Sequence, residues 1–501
     1  MSSPTPDIVS FPARPGQDPL SEAQIARLRE GTLTVLEEVG VHVPSARARE
    51  ILAGYGARVG DDDVVRIPPD VVTDAMASAP RSFVLAGREE RLDLVLDGSR
   101  CYLCTEGVGT KVADPDTGEV RSSRKADVEL MARVCDALPP LAFFWPPVSA
   151  QDHGRTAPLH ECHAGLSNTR KHVRGATTVY PQLAKYVVDM ATVVAGGDAE
   201  RRRRPPICGN VCTISPLAHD AHGLECALAY AEAGIPLSFM AMPTMGSTAP
   251  ATELGAIVVA DAEVVSGMTL VQLAVPGAAV FHSFFVSLMD PLTGGYLCEL
   301  ASPSERIAVQ LAHAWGVPSL GGGSFSSDAP GPGWQSGVKT GIGAVTVPLY
   351  GAEICGSIGL EAGSTVLHPD KVIRDCEAMR HAAAMVGVAA FREEDLALDV
   401  IREVGPRGHF MGQKHTRTHL RDHRLPLWLT RVGREAAEEA RRAEEARGGG
   451  AAAGLEPARA AALAEFRRLA REHRPEPLGS DVQAELDAIV AAADREAERL
   501  A

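Results

Sequence analysis

Between about residues 98 and 390 the chain alternates short apolar runs with longer amphipathic stretches. The runs are Cys101-Tyr102-Leu103, Leu141–Trp145, His172-Val173-Arg174, Ile207–Val211, Leu237–Met242, Ala279–Val286, Ser319–Gly323 and Ala352–Ile358. Each is bounded by Gly, Ser, Pro or a polar residue, as strands are. Between them helical spacing marks 125–138, 179–195, 218–233, 252–274, 303–315 and 335–350. A strand–helix alternation of this kind builds a parallel sheet through right-handed crossovers. Eight repeats over some 280 residues match an α/β fold of the (β/α)8 barrel type; an open doubly wound sheet would fit five to seven.

The flanks read differently. Residues 1–20 have no period and form an arm. Ser21-Glu22-Ala23-Gln24 is a capping-box pattern that opens a helix near 22–39. A second helix follows near 45–55, and Pro68-Pro69 starts a third that ends before Pro80. Residues 21–97 thus read as an αβ/helical entry region that covers something rather than catalyses, and 98–390 as the barrel itself. Residues 391–501 are helical and charged: 433–447 is almost wholly Arg, Glu and Ala, 448–454 is a Gly/Ala break, and 456–474 and 480–500 are amphipathic.

Composition narrows the function. The 501 residues carry 49 Lys+Arg against 64 Asp+Glu, a formal charge of −15, which argues against nucleic acid as a partner. Apolar stretches are broken before they reach the length of a membrane span. The ten cysteines are scattered and the N-terminus lacks the pattern of a secretory signal, so a cytoplasmic setting is expected. Aromatics are only 5% of the chain, so their clusters carry information.

Several chemistries lack their motifs. No GxGxxG follows a strand, Gly321-Gly322-Gly323 leads into Ser324-Phe325-Ser326, and neither a phosphate loop nor a GxSxG elbow occurs. No metal is expected. Cys101-x-x-Cys104 has no second pair, and His160, Cys162 and His163 would point to different helix faces. Cys208 and Cys212, four apart on a strand, share a face and could line a pocket. His415, His419 and His423 form a stripe if helical, beside Lys414 and Arg417, which suits an anion or a protein surface better than a cation.

An ordered set of short motifs runs through the chain. Thr105-Glu106-Gly107 is followed by Asp114-Pro115-Asp116-Thr117-Gly118-Glu119, Ser215-Pro216-Leu217, Gly246-Ser247-Thr248-Ala249-Pro250 and Ala262-Glu263. Gln272-Leu273, Pro276-Gly277, Asp290-Pro291-Leu292-Thr293-Gly294 and Gly412-Gln413-Lys414-His415-Thr416 complete it. In order and spacing over residues 20–430 the set resembles the trimethylamine methyltransferase superfamily. The resemblance implies a (β/α)8 barrel that moves a methyl group from an amine to Co(I) of a separate corrinoid (cobalamin) protein, and a symmetric homo-oligomer. The sequence contains only standard residues, so it resembles the branch without pyrrolysine, whose substrates include quaternary amines such as glycine betaine. Asp328–Gly337, with Trp334 and Gln335, aligns with the pyrrolysine region and departs from the family's usual pattern there.

For such a reaction the protein supplies orientation and electrostatics rather than a nucleophile. A quaternary ammonium calls for aromatic faces, each contributing about 0.5–2 kcal/mol. Candidates are Tyr102, Phe143, Phe144, Trp145, Phe281, Phe284, Phe285 and Trp334, of which alternation turns about half toward the helices. Glu106 is the candidate carboxylate, and Glu106, His282 and Gln335 are the candidate positioning groups. A substrate carboxylate would need a donor, for which Arg174, His282 and the Lys414–His415 pair are available, and Lys414, His415 and His419 together could bind a partner or an anion. The corrinoid is expected on a partner, because Asp220-Ala221-His222 lacks the glycine of the base-off Asp-x-His-x-x-Gly signature. Alternatives are a barrel methyltransferase for another methyl donor, and a barrel that binds without catalysis.

Overall fold

The computed structural model describes residues 18–105, 107–115, 117–177, 180–298, 302–321, 325–386, 391–420 and 457–499. Eight parallel strands form one sheet: β1 Tyr102–Thr105, β2 Leu141–Phe143, β3 Val173–Thr177, β4 Ile207–Cys212, β5 Leu237–Ala241, β6 Val280–Phe284, β7 Ser319–Gly321 and β8 Ile354–Ile358. They pair in the order β3-β4-β5-β6-β7-β8-β1-β2. Phe144 closes the circle: its N–H donates to His172 O (2.9 Å), and its carbonyl accepts from Arg174 N (2.8 Å). The result is the expected (β/α)8 barrel, with each predicted apolar run supplying one strand.

All six predicted connecting helices are present, at Lys125–Ala137, Pro181–Ala195, Ala221–Glu232, Glu253–Ala274, Ser304–Trp315 and Trp334–Tyr350. Ala157–Asn168 and Pro369–Val386 add two that the periodicity did not single out. Ala157–Asn168 is buried along nearly its whole length, between the barrel and the C-terminal helix, so it has no polar face to create a period. Glu253–Ala274 is apolar on all sides and is the one helix among the described residues long and apolar enough to cross a membrane. Here it packs on β5 and β6 under the N-terminal helices Glu22–Thr34 and Pro69–Ala77.

The αβ region also closes the lower end of the barrel. Strands Phe83–Leu85 and Leu94–Leu96 form a hairpin whose Leu85, Leu94 and Leu96 join the interior cluster of Cys104, Phe143, Trp145, Cys208, Met240, Phe281, Leu320 and Ile354. At the carboxyl ends of the strands the mouth is rimmed by two small sheets. One joins Thr244–Met245, Ser287–Met289 and Tyr296–Leu297; the other joins Lys111–Ala113, Val120–Ser122, Leu360–Glu361 and Val366–Leu367.

The repeated Asp-Pro-x-Thr-Gly motif makes the hairpins of these rims. Asp114 accepts from Thr117 N (2.9 Å) and Asp290 from Leu292 N (2.9 Å), while Gly118 (φ 75°) and Gly294 (φ 69°) take the left-handed position. Two other motif pieces are also structural. Glu263 accepts from Thr213 Oγ1 (2.6 Å), Ser215 Oγ (2.9 Å) and Leu217 N (2.9 Å), fixing the loop after β4. Gln272 accepts from Gly277 N (3.0 Å) and donates to Ala278 O (2.8 Å), shaping the turn before β6.

Candidate functional site

Active sites of this fold lie at the carboxyl ends of the strands. A cavity of ≈ 460 Å³ opens there. Strand alternation aims Asn210, Cys212, Met240, Leu320 and Gly356 into it, and the segments beyond β2, β5 and β6 add Trp145, Met242 and Phe285. Tyr296 arrives from the rim hairpin, its ring 6.4 Å from that of Phe285. Ser326, Ser357, Ser364 and Cys298 complete much of the wall, with Cys298 held through N–H and thiol donation to Asp328 (3.1 and 2.9 Å). Among the described lining residues there is no carboxylate, imidazole, ammonium or guanidinium.

Directly beneath lies Arg174, fully buried on β3. Its guanidinium stacks 3.9 Å from the centroid of the Trp145 ring and 5.3 Å from that of Phe281. Nη2 donates to Asn210 Oδ1 (2.5 Å) and Ser238 Oγ (2.7 Å), and the Ser238 hydroxyl donates on to Asn210 (2.6 Å). Burial pulls the guanidinium below its ordinary range.

The sequence candidates separate along the barrel. Trp145 and Phe285 line the cavity, and Arg174, Phe281 and Phe143 stand inside the barrel below it. Glu106 lies outside the described residues, as does His423. Tyr102 is at the opposite, lower end, in a depression with Arg91, Asp136 and Lys171. Phe144 turns outward into the helix-layer core, and so does Phe284.

His282 also faces the helices, because Phe281 takes the inward position. Its Nε2 is 2.8 Å from Asp261, which accepts from Thr32 (2.6 Å) and Trp315 (3.1 Å) as well. Trp334 is 87% exposed and begins the helix after β7; Gln335 beside it is exposed, and neither lines the cavity. Lys414, His415 and His419 sit on a short helix, Lys414–His419, whose two imidazole rings are 4.3 Å apart. No residue of this helix contributes to the cavity.

Of the cysteines, Cys212 lines the cavity and Cys208 lies below it; burial pushes Cys208 up to about 12. His160 and His163 point away from the barrel toward Asp494 (3.1 Å) and Asp487 (2.8 Å) of the last helix. Sequence reasoning missed Asn210, Met240, Met242 and Tyr296. The first three had a signal, the period-two set Cys208, Asn210, Cys212 on β4 and Ser238 and Met240 on β5, continued by Met242 just beyond it. Tyr296 had none, because its place depends on the rim hairpin.

Comparison with known proteins agrees with the motif order. A family model described as trimethylamine methyltransferase (MTTB) matches residues 6–498. A trimethylamine methyltransferase of Desulfitobacterium hafniense is 32% identical over 478 residues, covering 94% of this chain and 92% of its own. One from Methanosarcina barkeri is 30% identical over 484 residues, covering 94% of each. A glycine betaine methyltransferase of Desulfitobacterium hafniense (strain Y51) is 27% identical over 417 residues, covering 81% and 85%. The crystal structure of the Methanosarcina barkeri monomethylamine methyltransferase aligns with 95% of this chain and 92% of its own at a TM-score of 0.44 and 13% identity. The chain belongs to the trimethylamine methyltransferase family and is a methyltransferase.

Proposed function

We propose that this enzyme moves a methyl group from a quaternary amine, of the betaine kind, to the reduced cobalt of a corrinoid carried by a separate protein. The observation that carries the reading is the make-up of the mouth cavity: rings of Trp145, Phe285 and Tyr296 with thioethers of Met240 and Met242, and no acid or base among the described lining residues. Aromatic faces attract a methylated ammonium that has shed its water. When the N–CH3 bond breaks, its electron pair stays on nitrogen and a neutral tertiary amine leaves, so no proton has to be delivered. A site without a general acid is sufficient for that leaving group.

The methyl acceptor is a co-substrate, and its bound corrinoid supplies the nucleophile. The sequence lacks the Asp-x-His-x-x-Gly signature; Asp220 instead caps the helix Ala221–Glu232 through Gly223 N (2.7 Å). A corrinoid protein docking at the mouth is therefore the partner we assign, in a cytoplasmic setting. The net charge of −15 favours the approach of a cationic nitrogen.

The test mixes the enzyme with a reduced corrinoid protein and a panel of methylated amines and follows the visible spectrum for the methylated corrinoid. Methylation with at least one quaternary amine is expected. Folded enzyme that transfers nothing from any of them would refute the reading.

A further inference from the structure

Arg174 is a buried cation with no counter-ion among the described residues. Among the described residues no carboxylate touches it, and Nε and Nη1 have no hydrogen-bond acceptor. Among the described residues the groups whose charge would favour the cation are the thiols of Cys104, Cys208 and Cys212. Burial raises the last two, so they are neutral at physiological pH and cannot balance the charge. The indole Nε1 of Trp145, stacked on the same guanidinium, is likewise buried with no acceptor. Among the described residues, three donors of two adjacent side chains are thus left unmet at the floor of the cavity.

Leaving a buried guanidinium uncompensated is among the most costly arrangements in a protein interior. Two ring faces and two neutral oxygens soften that cost, but they do not supply negative charge. The position matters as much as the charge: Trp145 and Asn210 touch Arg174, Cys212 lies within its electrostatic reach, and all three line the cavity. Any ligand there meets a positive potential from below. A plain methylammonium cation is repelled by it, whereas a zwitterion gains at both ends.

We propose that Arg174, with Trp145 Nε1, is the recognition site for a carboxylate on the methyl donor, and that it makes this enzyme select zwitterions over simple methylated cations. The carboxylate points down toward Arg174 and the quaternary nitrogen stays among Trp145, Phe285 and Tyr296, its methyl groups toward the mouth. This assignment rests on the cavity being the methylated-amine site.

The experiment measures binding by titration calorimetry of glycine betaine, its uncharged amide and tetramethylammonium to the wild type, R174K and R174Q, alongside the methyl-transfer assay. Wild type should bind betaine at least tenfold more tightly than the amide or tetramethylammonium. R174K should keep part of that preference and R174Q should lose it. Equal or weaker binding of betaine to the wild type would overturn the proposal even if neither variant folds, and so would an R174Q protein that retains the preference. In both cases methyl transfer from the amide or tetramethylammonium would leave the proposed function standing. No binding of betaine to the wild type would overturn this assignment, and no transfer from any quaternary amine of the panel would overturn the proposed function with it.

Discussion

Gly107 lies over the pyrrole part of the Trp145 indole so closely that a Cβ on the glycine would stand 2.2 Å from the indole Nε1. The indole is clamped between this bare backbone and the Arg174 guanidinium, 3.9 Å from its ring centroid. Gly107→Ala therefore has to move the ring that joins the cavity wall to its charged floor. The expected result is a KM for the amine raised by tenfold or more, with a melting temperature only a few degrees lower. An unchanged KM would show that Trp145 does not contact the substrate.

Truncating the rings separately tests the cation site. Phe285→Leu and Tyr296→Leu keep apolar volume but remove a face that contributes about 0.5–2 kcal/mol, equivalent to a two- to thirtyfold loss of affinity for the quaternary nitrogen. Both should weaken betaine and tetramethylammonium by similar factors, unlike changes at Arg174. Trp334→Ala, at an exposed position outside the cavity, should leave amine affinity unchanged.

His282 shows where sequence and structure part. The eight strands and six of their helices were legible because each is written as a local apolar run or a helical period; Ala157–Asn168 and Pro369–Val386 were not. Which face of β6 turns inward is not local: it is settled by Asp261 on helix Glu253–Ala274, which gathers His282, Thr32 and Trp315 from three distant elements. Trp145 and Arg174 were legible as candidates, but their stacking was not, since it depends on the seam between β2 and β3. Asp261→Asn removes the charge that three donors share and should destabilise the fold by about 2–4 kcal/mol. Denaturant midpoints should fall while kcat per folded molecule stays constant; a lost kcat in folded protein would return His282 to the site.

Acid sensitivity follows from buried imidazoles. Burial lowers His160, His172, His219 and His368 to about 4, against an unfolded value of about 6.5. Between those values the unfolded chain binds protons that the folded one refuses, so stability falls as pH drops from about 6.5 to 4. Each such proton is worth about 1.4 kcal/mol per pH unit. Glu361 acts in the opposite sense: burial pushes its carboxyl up to about 7, so its contribution is lost as pH rises through that value. His163 is lowered in the same sense as the four, and Glu161, Glu263 and Asp189 are raised like Glu361, but the four imidazoles moved to about 4 carry the larger shifts, so the balance is a net loss on acidification. Urea midpoints should drop steeply from pH 6.5 to 4.5, and a flat profile would refute the assignment.

Lys371 ties the loops after β7 and β8 together beneath the cavity wall. Fully buried, it donates to Phe325 O (3.0 Å) and Asp375 Oδ2 (2.6 Å), and the same Asp375 accepts from Gly359 N (2.9 Å) and Thr340 Oγ1 (2.9 Å). The residues just beyond these anchors, Ser326 and Ser364, join their hydroxyls at 2.6 Å and line the cavity. Lys371→Met leaves Asp375 buried without its cation and should cost about 3–5 kcal/mol, measured by urea unfolding. Adding Asp375→Leu removes the stranded charge, so the double variant should recover much of that loss. Its cavity should nevertheless bind the amine more weakly than wild type, because Phe325 O and Gly359 N have both lost their tie. A double variant with wild-type affinity would show that the two loops hold the cavity wall without this pair.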